Sequence, residues 1–478
     1  MFVRVRFGMF CFCGLNRRWS GVLRYSGLVL LAVWGGGLAA ETVADDWPRW
    51  MGPHGDGRWR ETGIIESFPE TGPEIRWRKP IQGGYSGPAI VDGRVYITDR
   101  TEDEGKGIDV ENDIRQTGAV PGGERVQCLD LETGETLWSH TYDCPYEVAY
   151  PTGPRCTPTV DGDHVYTLGA MGHLICFQRE TGDIVWKKSL TGEYGTRPPL
   201  WGYSSHPLVY RDLLIVPVGG EGSGVVAFDK ASGAEQWKAV STLDVAYAPL
   251  VVYQPGPGDS ADQLVFWHAD GVSGLNPASG DEYWTIRFPE ERNPSQTSIA
   301  TPLIIDDRLL VSEFYKGSLL MQLNSDPPAA EEIWRSYRTD PRNKTALNSM
   351  ITTPVVRDGY VYGIAYDARG RGVFRCLDLD SGGMVWTRED WMAAEPLTFA
   401  SAFVVENQGR YWIFNDAGEL MIVNLTPAGF EEIDRAAILE PTGAARGRKV
   451  VWSHPAFSRK CMVARNDQEI VCVDLSEK

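Results

Sequence analysis

The amino-acid sequence predicts an all-β protein, an eight-bladed β-propeller made of four-stranded antiparallel blades. Three observations lead to this fold. A phrase that ends in Trp recurs along the chain, a hairpin phrase precedes each copy, and the two ends of the chain hold complementary parts of one repeat. The 52 Gly and 30 Pro residues are typical of a fold with many turns and argue against a helical bundle.

The Trp phrase has the form CLDLETGETLW, as it stands at Cys128. Clear copies also begin at Cys176, Ala227, Gly274 and Cys376, and weaker copies begin at Gln322 and Ile422. The closing Trp residues lie 47 to 52 residues apart and are Trp138, Trp186, Trp237, Trp284, Trp334 and Trp386. A period of about fifty residues with four strands is that of a propeller blade. We expect the Trp side chains to pack between neighbouring blades.

The hairpin phrase is an apolar strand that follows a small residue and usually a Pro, then a turn, then a second strand. Asp-Gly turns such as Asp92-Gly93 and Asp358-Gly359 are the strongest short hairpin signal. Eight copies are present, and they begin at Ser86, Cys156, Ser205, Tyr247, Ala300, Thr352, Ser401 and Ser453.

The two ends of the chain predict how the ring closes. The last Trp phrase starts at Cys472 and stops before its Trp strand, whereas TGPEIRW, residues 71–77, supplies such a strand near the other end. We therefore expect the N-terminal strand to complete the last blade, which leaves no open sheet edge around the ring. The predicted propeller spans residues 71–478, with an insertion at 100–125 in its first repeat.

Residues 1–40 have the pattern of a secretory signal peptide. They carry five Arg and no acidic residue, and a short apolar run, 27–40, ends in Gly and Ala. An uncleaved membrane anchor is the alternative. Residues 41–70 are an N-terminal extension. We expect an exported protein, periplasmic or extracellular, in which the nearby Cys144 and Cys156 could form a disulfide.

Charge and motifs exclude several functions. The formal charge of −18 is unsuited to nucleic acid, because phosphate contacts need clustered Lys and Arg, and it leaves membrane contact to a partner or to the anchor. No nucleophile elbow or phosphate-binding loop occurs, and none of the seven His forms a close pair at metal-ligand spacing. We predict no metal site.

The Trp phrase resembles the repeat of the pyrroloquinoline-quinone (PQQ) repeat family, A-x-D-x-x-T-G-x-x-x-W, over about residues 71–478. That resemblance implies an eight-bladed ring and either of two functions. One is a non-catalytic binding or scaffold module, as in BamB-type proteins of outer-membrane β-barrel assembly. The other is an oxidoreductase that uses PQQ with calcium in the central channel. The segment DWPRWMGPHGDGR, from Asp46, also resembles secreted propellers of planctomycete-like bacteria.

The sequence favours the binding or scaffold function. In the quinoprotein dehydrogenases of this family a disulfide between adjacent cysteines covers the cofactor, and this chain has neither a Cys-Cys pair nor a C-x-x-C-H haem site. We therefore predict no cofactor, and PQQ with calcium is the alternative. A third interpretation is a polysaccharide-binding protein or a carbohydrate-active enzyme.

Loops that depart most from the repeat are the candidate binding residues, since binding residues favour loops on a rigid scaffold. Three loops, 150–155, 197–203 and 342–348, lead into first strands and should gather on one face around the channel. His206 and His454 hold equivalent places just before a Pro. The candidate set suits a protein partner or a small anionic or sugar-like ligand, and the alternative is ordinary loop capping and packing. Its members are Arg155, Trp201, Tyr203, His206, Arg342, Asn348 and His454.

Overall fold

A computed structural model of the protein describes residues 45–101, 119–242, 244–256, 261–288, 297–336, 347–367, 369–392, 398–445 and 447–478. Residues 42–478 form one compact unit. The predicted signal peptide and most of the insertion at 100–125 lie outside the described residues. Within those residues, no helix has the length and apolar character needed to cross a membrane.

Eight four-stranded antiparallel sheets confirm the predicted propeller. The first strand among the described residues is β1 (Glu74–Pro80), which belongs to the last blade. Blades one and two comprise β2 (Ala89–Val91), β3 (Arg94–Thr101), β4 (Gly123–Asp130), β5 (Thr136–Asp143), β6 (Thr159–Asp161), β7 (His164–Leu168), β8 (His173–Gln178) and β9 (Ile184–Ser189). A short helix, α1 (Leu190–Tyr194), follows.

The middle blades repeat this arrangement. Blades three and four comprise β10 (Leu208–Tyr210), β11 (Leu213–Pro217), β12 (Val225–Asp229), β13 (Glu235–Ala239), β14 (Val251–Tyr253), β15 (Gln263–His268), β16 (Gly271–Leu275) and β17 (Glu282–Ile286). Blades five and six comprise β18 (Leu303–Ile305), β19 (Arg308–Glu313), β20 (Gly317–Ser325), β21 (Pro328–Arg335), β22 (Val355–Arg357), β23 (Tyr360–Tyr366), β24 (Gly372–Asp378) and β25 (Met384–Arg388).

The last two blades and a small hairpin complete the ring. Blade seven comprises β26 (Ala402–Asn407), β27 (Arg410–Asn415), β28 (Glu419–Thr426) and β29 (Gly429–Ala437); the hairpin is β30 (Gly443–Ala445) and β31 (Arg448–Val450); blade eight comprises β32 (Ala456–Ser458), β33 (Cys461–Arg465), β34 (Glu469–Asp474) and β1. Strand β1 pairs with β34, Glu74 opposite Asp474, as the chain ends predict.

The first strand of each blade is its inner strand. Inner strands of neighbouring blades contact each other from blade eight through blade three (β32, β2, β6 and β10) and between blades six and seven (β22 and β26). Seven of the eight inner strands are three residues long. Their turns follow the predicted chemistry, because Asp92 and Gly93 adopt φ angles of 51° and 73°, the left-handed conformation of a two-residue hairpin turn.

Six of the seven repeated Trp side chains donate a hydrogen bond to the next blade, whereas Trp284 donates to Gln263 in its own blade. The indole N–H groups of Trp77, Trp138 and Trp334 each donate to a backbone carbonyl of the next blade over 2.8 Å. A Cβ added at Gly182 would lie only 2.6 Å from the Trp138 ring, so the Gly of the Thr-Gly turn is required for this close packing.

The disulfide considered between Cys144 and Cys156 is not formed, and both thiols are free and buried. Cys144 Sγ lies 3.5 Å from His173 Nδ1, whereas Cys156 Sγ lies 3.4 Å from the Ser205 carbonyl. The two sulfur atoms therefore contact different residues in the core. Burial raises the pKa of both thiols.

Candidate binding site

The N-terminal extension enters the central channel as a re-entrant loop, residues 45–61. On the way in, Trp47 and Ile90 exchange two backbone hydrogen bonds of 2.8 Å, and the Val160 N–H donates to the Pro48 carbonyl over 2.8 Å. On the way out, the Glu406 N–H donates to Gly57 over 2.9 Å. The loop is thus held by backbone pairing to the inner strands of blades one, two and seven.

The tip of the loop reverses direction at positive φ angles. Met51, Gly52, Gly55 and Gly57 have φ angles between 59° and 84°, a region that Gly enters without strain. Gly52 also lies against the Trp47 ring, because an added Cβ would come within 3.1 Å of it. The MGPHGDG sequence is therefore suited to a tight reversal inside a channel.

Glu61 fastens the outgoing arm of the loop. Its carboxylate is buried and accepts hydrogen bonds from the Arg459 and Lys460 backbone N–H groups over 2.8 and 2.6 Å, and from the Trp59 indole over 3.0 Å. Asn407 Nδ2 donates to the carbonyls of Trp59 and Glu61. This segment is locked to the turns of blades seven and eight.

Trp50 stands at the tip of the loop, in the middle of the channel. Its ring stacks on His206 with centroids 4.4 Å apart and an angle of 16°, and it lies 4.7 Å from the His454 ring. Its indole N–H donates to Thr301 Oγ1 over 2.9 Å. The same side chain lines cavities on both sides of it, so Trp50 divides the channel.

The two candidate histidines are buried against this Trp. His206 Nδ1 accepts the Thr157 backbone N–H over 2.8 Å, and His454 Nδ1 lies against the Pro455 carbonyl. Burial and the neighbouring His454 lower the pKa of His206 to about 3, and burial lowers the pKa of His454 to about 4. Both rings are neutral at pH 7.

One cavity, the aromatic mouth, lies where the chain enters the inner strands and has a volume of about 330 Å³. Half of its lining residues are Phe, Tyr or Trp: Trp50, Tyr85, Tyr150, Trp201, Tyr247, Phe314, Tyr315, Phe403 and Trp452. Among the described residues that line it, Arg155 carries the one formal charge at neutral pH.

The predicted loops 150–155 and 197–203 do meet at this mouth. The Ala149 N–H donates to the Leu200 carbonyl over 2.8 Å, and the Trp201 and Tyr247 rings lie 5.1 Å apart. Arg155 donates to the carbonyls of Ala149, Tyr150 and Gly153, so its guanidinium holds its own loop in shape. It also lies 5.1 Å from the Tyr85 ring centroid.

The remaining candidate residues take other positions. The Tyr203 side chain is buried, and its hydroxyl donates to the Val218 carbonyl over 2.8 Å. Asn348 is also buried and accepts the Tyr366 N–H over 2.9 Å. Arg342 lies outside the described residues. Of the predicted set, Arg155, Trp201 and His206 line the mouth.

Sequence reasoning did not single out the other aromatic lining residues. Tyr85, Tyr247 and Trp452 share a signal, since each stands two or three residues before the Pro that opens an inner strand. Because those Pro residues begin channel-lining strands, the side chains just before them gather at one end. Trp50 had no such signal, since its position depends on the re-entrant loop.

The second cavity, the turn-end cavity, lies at the opposite end, where inner strands turn into second strands. Its volume is about 620 Å³. One wall is the re-entrant loop, with Arg49, His54, Asp56 and Arg58, and the other wall is formed by the inner strands of blades three to six. The loop fills one half of the channel and leaves this half open.

In the part of the chain that the structure describes, no group of three or more His, Cys, Asp or Glu side chains converges as a metal site would require. The two His rings in the channel face an indole and backbone groups. The described arrangement therefore offers aromatic surface and backbone groups to a ligand.

Comparison with known proteins finds two kinds of similar protein. Residues 122–342 match the PQQ_2 family model, described as outer membrane protein assembly factor BamB. The BamB assembly factor of Moranella endobia (strain PCIT) is 24% identical over 246 residues, which cover 48% of this chain and 56% of that protein. The chain thus spans little more than half the length of this curated relative.

Quinone-dependent dehydrogenases are similar as well. The dehydrogenase subunit of the quinone alcohol dehydrogenase of Gluconobacter oxydans (strain 621H) is 20% identical over 402 residues, 69% of this chain and 49% of that protein. The crystal structure of quinohemoprotein alcohol dehydrogenase from Comamonas testosteroni superimposes with a TM-score of 0.55 at 13% identity, covering 91% of this chain and 81% of that one. This likeness shows a shared fold.

Proposed function

We propose that this chain, a β-propeller of the PQQ-repeat family, is an exported, non-catalytic scaffold that binds an apolar or aromatic segment of a protein partner in its aromatic mouth. The observation that carries the proposal is the lining of that cavity. Nine of its eighteen lining residues are aromatic, and its one described cation, Arg155, already donates to three backbone carbonyls.

The size and surface of the mouth support this kind of ligand. Binding cavities have volumes of about 300–1,000 Å³ and are mostly apolar, and the mouth, with about 330 Å³, is large enough for an anchoring side chain. Leu200 at its rim is 51% exposed. Buried aromatic anchors surrounded by apolar contacts contribute most of the affinity in many protein interfaces.

The same lining supports a non-catalytic role. General acid–base catalysis needs a group with a pKa near the working pH, within reach of the substrate. His206 has its pKa lowered to about 3, and Trp50 stacks on its ring. Tyr247 has its pKa raised by burial, so its hydroxyl stays protonated and accepts a bond from the Trp201 backbone N–H.

The described residues do not fit PQQ with calcium. PQQ carries several carboxylates, and charged groups in a cavity need paired cations or a metal. The aromatic rings could stack on a planar cofactor, but Arg155 is committed to its loop and no described carboxylate group converges on the mouth. We therefore derive no redox step.

The family matches support a protein-binding role, because the similar BamB proteins are named as assembly factors. The proposed location is accordingly the periplasm or the extracellular space. A sugar ring is the second candidate ligand, since the partly exposed Trp201 ring beside Tyr247 offers a stacking surface at the rim.

A photo-crosslinking residue at Leu200 tests the proposal in the full chain. We expect an adduct with one protein of the source cell envelope, lost on Trp201→Ala, which removes the ring next to the rim. Leu137, 46% exposed on the outer strand β5, is the matched control site. The same adducts from Leu200 and Leu137 would contradict a specific mouth.

Two further measurements separate the alternatives. Purified protein mixed with PQQ and Ca²⁺ should show neither a cofactor spectrum nor dye reduction, and a signal that depends on Arg155 would overturn the scaffold proposal. Binding on a glycan array that is lost on Trp201→Ala, without a protein adduct at Leu200, would replace the protein partner by a sugar.

A further inference from the structure

At one position of each inner strand, the backbone N–H and C=O groups face the channel, and comparing the blades shows what binds them. In blades one, two and seven, one residue near the end of the inner strand directs its backbone N–H or C=O toward the channel, and the re-entrant loop bonds it: Ile90 to Trp47, Val160 to Pro48, and Glu406 to Gly57 and Trp59. These contacts show how an extended segment is held in this channel.

The same position in blades three to six is held by Val209, Val252, Ile304 and Val356. All four residues line the turn-end cavity, and all four are partly exposed. Their channel-facing backbone groups form no hydrogen bond with any described residue. The cavity is therefore bordered by a row of unpaired strand edges, and such edges are templates for pairing with an extended chain.

The opposite wall of the cavity carries a cation. Arg49 donates to the Pro53 carbonyl over 3.1 Å, and no described carboxylate lies within 4.0 Å of its guanidinium. The other two Arg residues on the cavity are paired: Arg58 lies 3.8 Å and Arg357 lies 3.3 Å from the carboxylate of Glu406. Arg49 is thus the group best placed to take a ligand carboxylate.

We propose that the turn-end cavity binds an extended peptide segment of a partner protein, whose backbone pairs with the inner strands of blades three to six and whose carboxylate pairs with Arg49. This mode is β-strand addition, in which backbone bonds give affinity and the pocket selects side chains. Leu303, Ile304 and Ile305, all partly exposed, would pack against apolar side chains of the peptide.

The site is separate from the aromatic mouth, because Trp50 divides the channel between them. It extends the scaffold function to a second recognition surface of different chemistry. If the proposal for one cavity proves wrong, the proposal for the other still stands. Each variant changes the lining of one cavity only, so its effect can be assigned to that cavity.

The test is affinity selection of a library of short N-acetylated peptides with amidated carboxyl ends, using the full chain. We expect enrichment of peptides that alternate β-branched residues and carry a carboxylate. Arg49→Gln should weaken the best peptide about tenfold or more, the usual loss for a charge-assisted hydrogen bond. Trp201→Ala, in the aromatic mouth, should leave its affinity unchanged.

Backbone pairing is tested by Ile304→Pro, which removes a channel-facing N–H while the ladder to β19 keeps its bonds. We expect a loss of about fivefold or more in affinity with an unchanged midpoint of urea unfolding, whereas Ile304→Val should bind as the wild type does. Val356→Pro provides a second variant should Ile304→Pro unfold.

Three results would overturn the proposal. One is the absence of any enriched peptide. Another is a best peptide whose affinity withstands both Arg49→Gln and Ile304→Pro. The third is equal competition by acetate, which would mean that the cavity recognises a carboxylate without the backbone.

Discussion

The two ends of the channel are built from the same eight repeats, yet they present opposite chemistry. The aromatic mouth is lined by side chains from variable loops and by one guanidinium that is already bonded to its own loop. The turn-end cavity is lined by short inner strands whose channel-facing backbone groups have no described partner, and these strands face an Arg without a described carboxylate partner.

This difference arises from where the repeat is strict. At the turn end, two-residue turns and three-residue inner strands give nearly every blade the same backbone. The choice of ligand there therefore depends on which strand edges the re-entrant loop covers. At the entry end the preceding loops vary, and side chains decide the surface. Trp50 belongs to both surfaces, and the strongest test of the division is its removal.

Trp50→Ala should have the largest effect. The substitution removes the ring between His206 and His454 and joins the two cavities, and we expect a loss of about 3 kcal/mol in the free energy of unfolding. Urea unfolding followed by circular dichroism measures it. Trp50→Phe should lose clearly less, and equal stability of Trp50→Ala and wild type would show that the plug is dispensable.

Glu61→Ala tests the anchor of the re-entrant loop. Four described N–H donors would lose their acceptor, so we expect the protein to be destabilised by about 2 to 3 kcal/mol. Glu66, 68% exposed at its side chain and paired with Arg410, is the matched control, and Glu66→Ala should cost less than about 0.5 kcal/mol. Similar losses for both variants would contradict the anchor.

The buried histidines predict acid sensitivity. His206 titrates near pH 3 when folded and near pH 6.5 when unfolded, so protons bind the unfolded chain first and stability falls as the pH drops below about 6.5. Each such group contributes up to about 1.4 kcal/mol per pH unit. His206→Asn should therefore lose about 2 kcal/mol less than wild type between pH 7 and pH 5.

Urea unfolding at the two pH values measures this difference, with His54, an exposed residue, as the control position. His54→Asn should follow the wild-type pH dependence. Parallel curves for wild type and His206→Asn would mean that the ring is hydrated and titrates normally, which would contradict its burial under Trp50.

The smallest effect is expected for Tyr203→Phe. The variant removes the hydroxyl that donates to Val218, so unfolding should require about 1 kcal/mol less free energy while crosslinking at Leu200 is unchanged. Loss of the crosslink with unchanged stability would return Tyr203 to the binding surface and widen the aromatic mouth.

The sequence was sufficient to predict the ring and its closure, because the Trp period and the complementary ends are local signals repeated many times. It also predicted that loops 150–155, 197–203 and 342–348 gather on one face; the first two meet, and most of the third lies outside the described residues. It could not show that Arg155 caps its own loop, since that depends on backbone carbonyls, or that Asn348 is buried and donates to the Phe314 carbonyl. The disulfide considered between Cys144 and Cys156 was wrong, because the spacing of two cysteines in the sequence does not show which neighbours each sulfur atom packs against.

The role of the N-terminal extension lay beyond the sequence for a different reason. Its sequence shows many Gly and Trp residues but no repeat, and its partners lie far along the chain, at Thr301, Glu406 and Lys460. Contacts between such distant segments follow no local periodicity. They become evident only when the inner strands are placed around one axis.

The re-entrant loop also fixes an order of events during synthesis. Trp50 emerges from the ribosome before any blade exists, yet its hydrogen-bond partner Thr301 lies 251 residues further along the chain. Arg459, whose backbone N–H donates to Glu61, lies 398 residues after Glu61. Contacts across such separations form late, because the intervening chain must first be ordered. The loop can pair with blades one and two early, but Glu61 and β1 find their partners only when blade eight exists, so a ribosome that stops before blade eight releases a chain with a half-anchored loop and an unpaired β1.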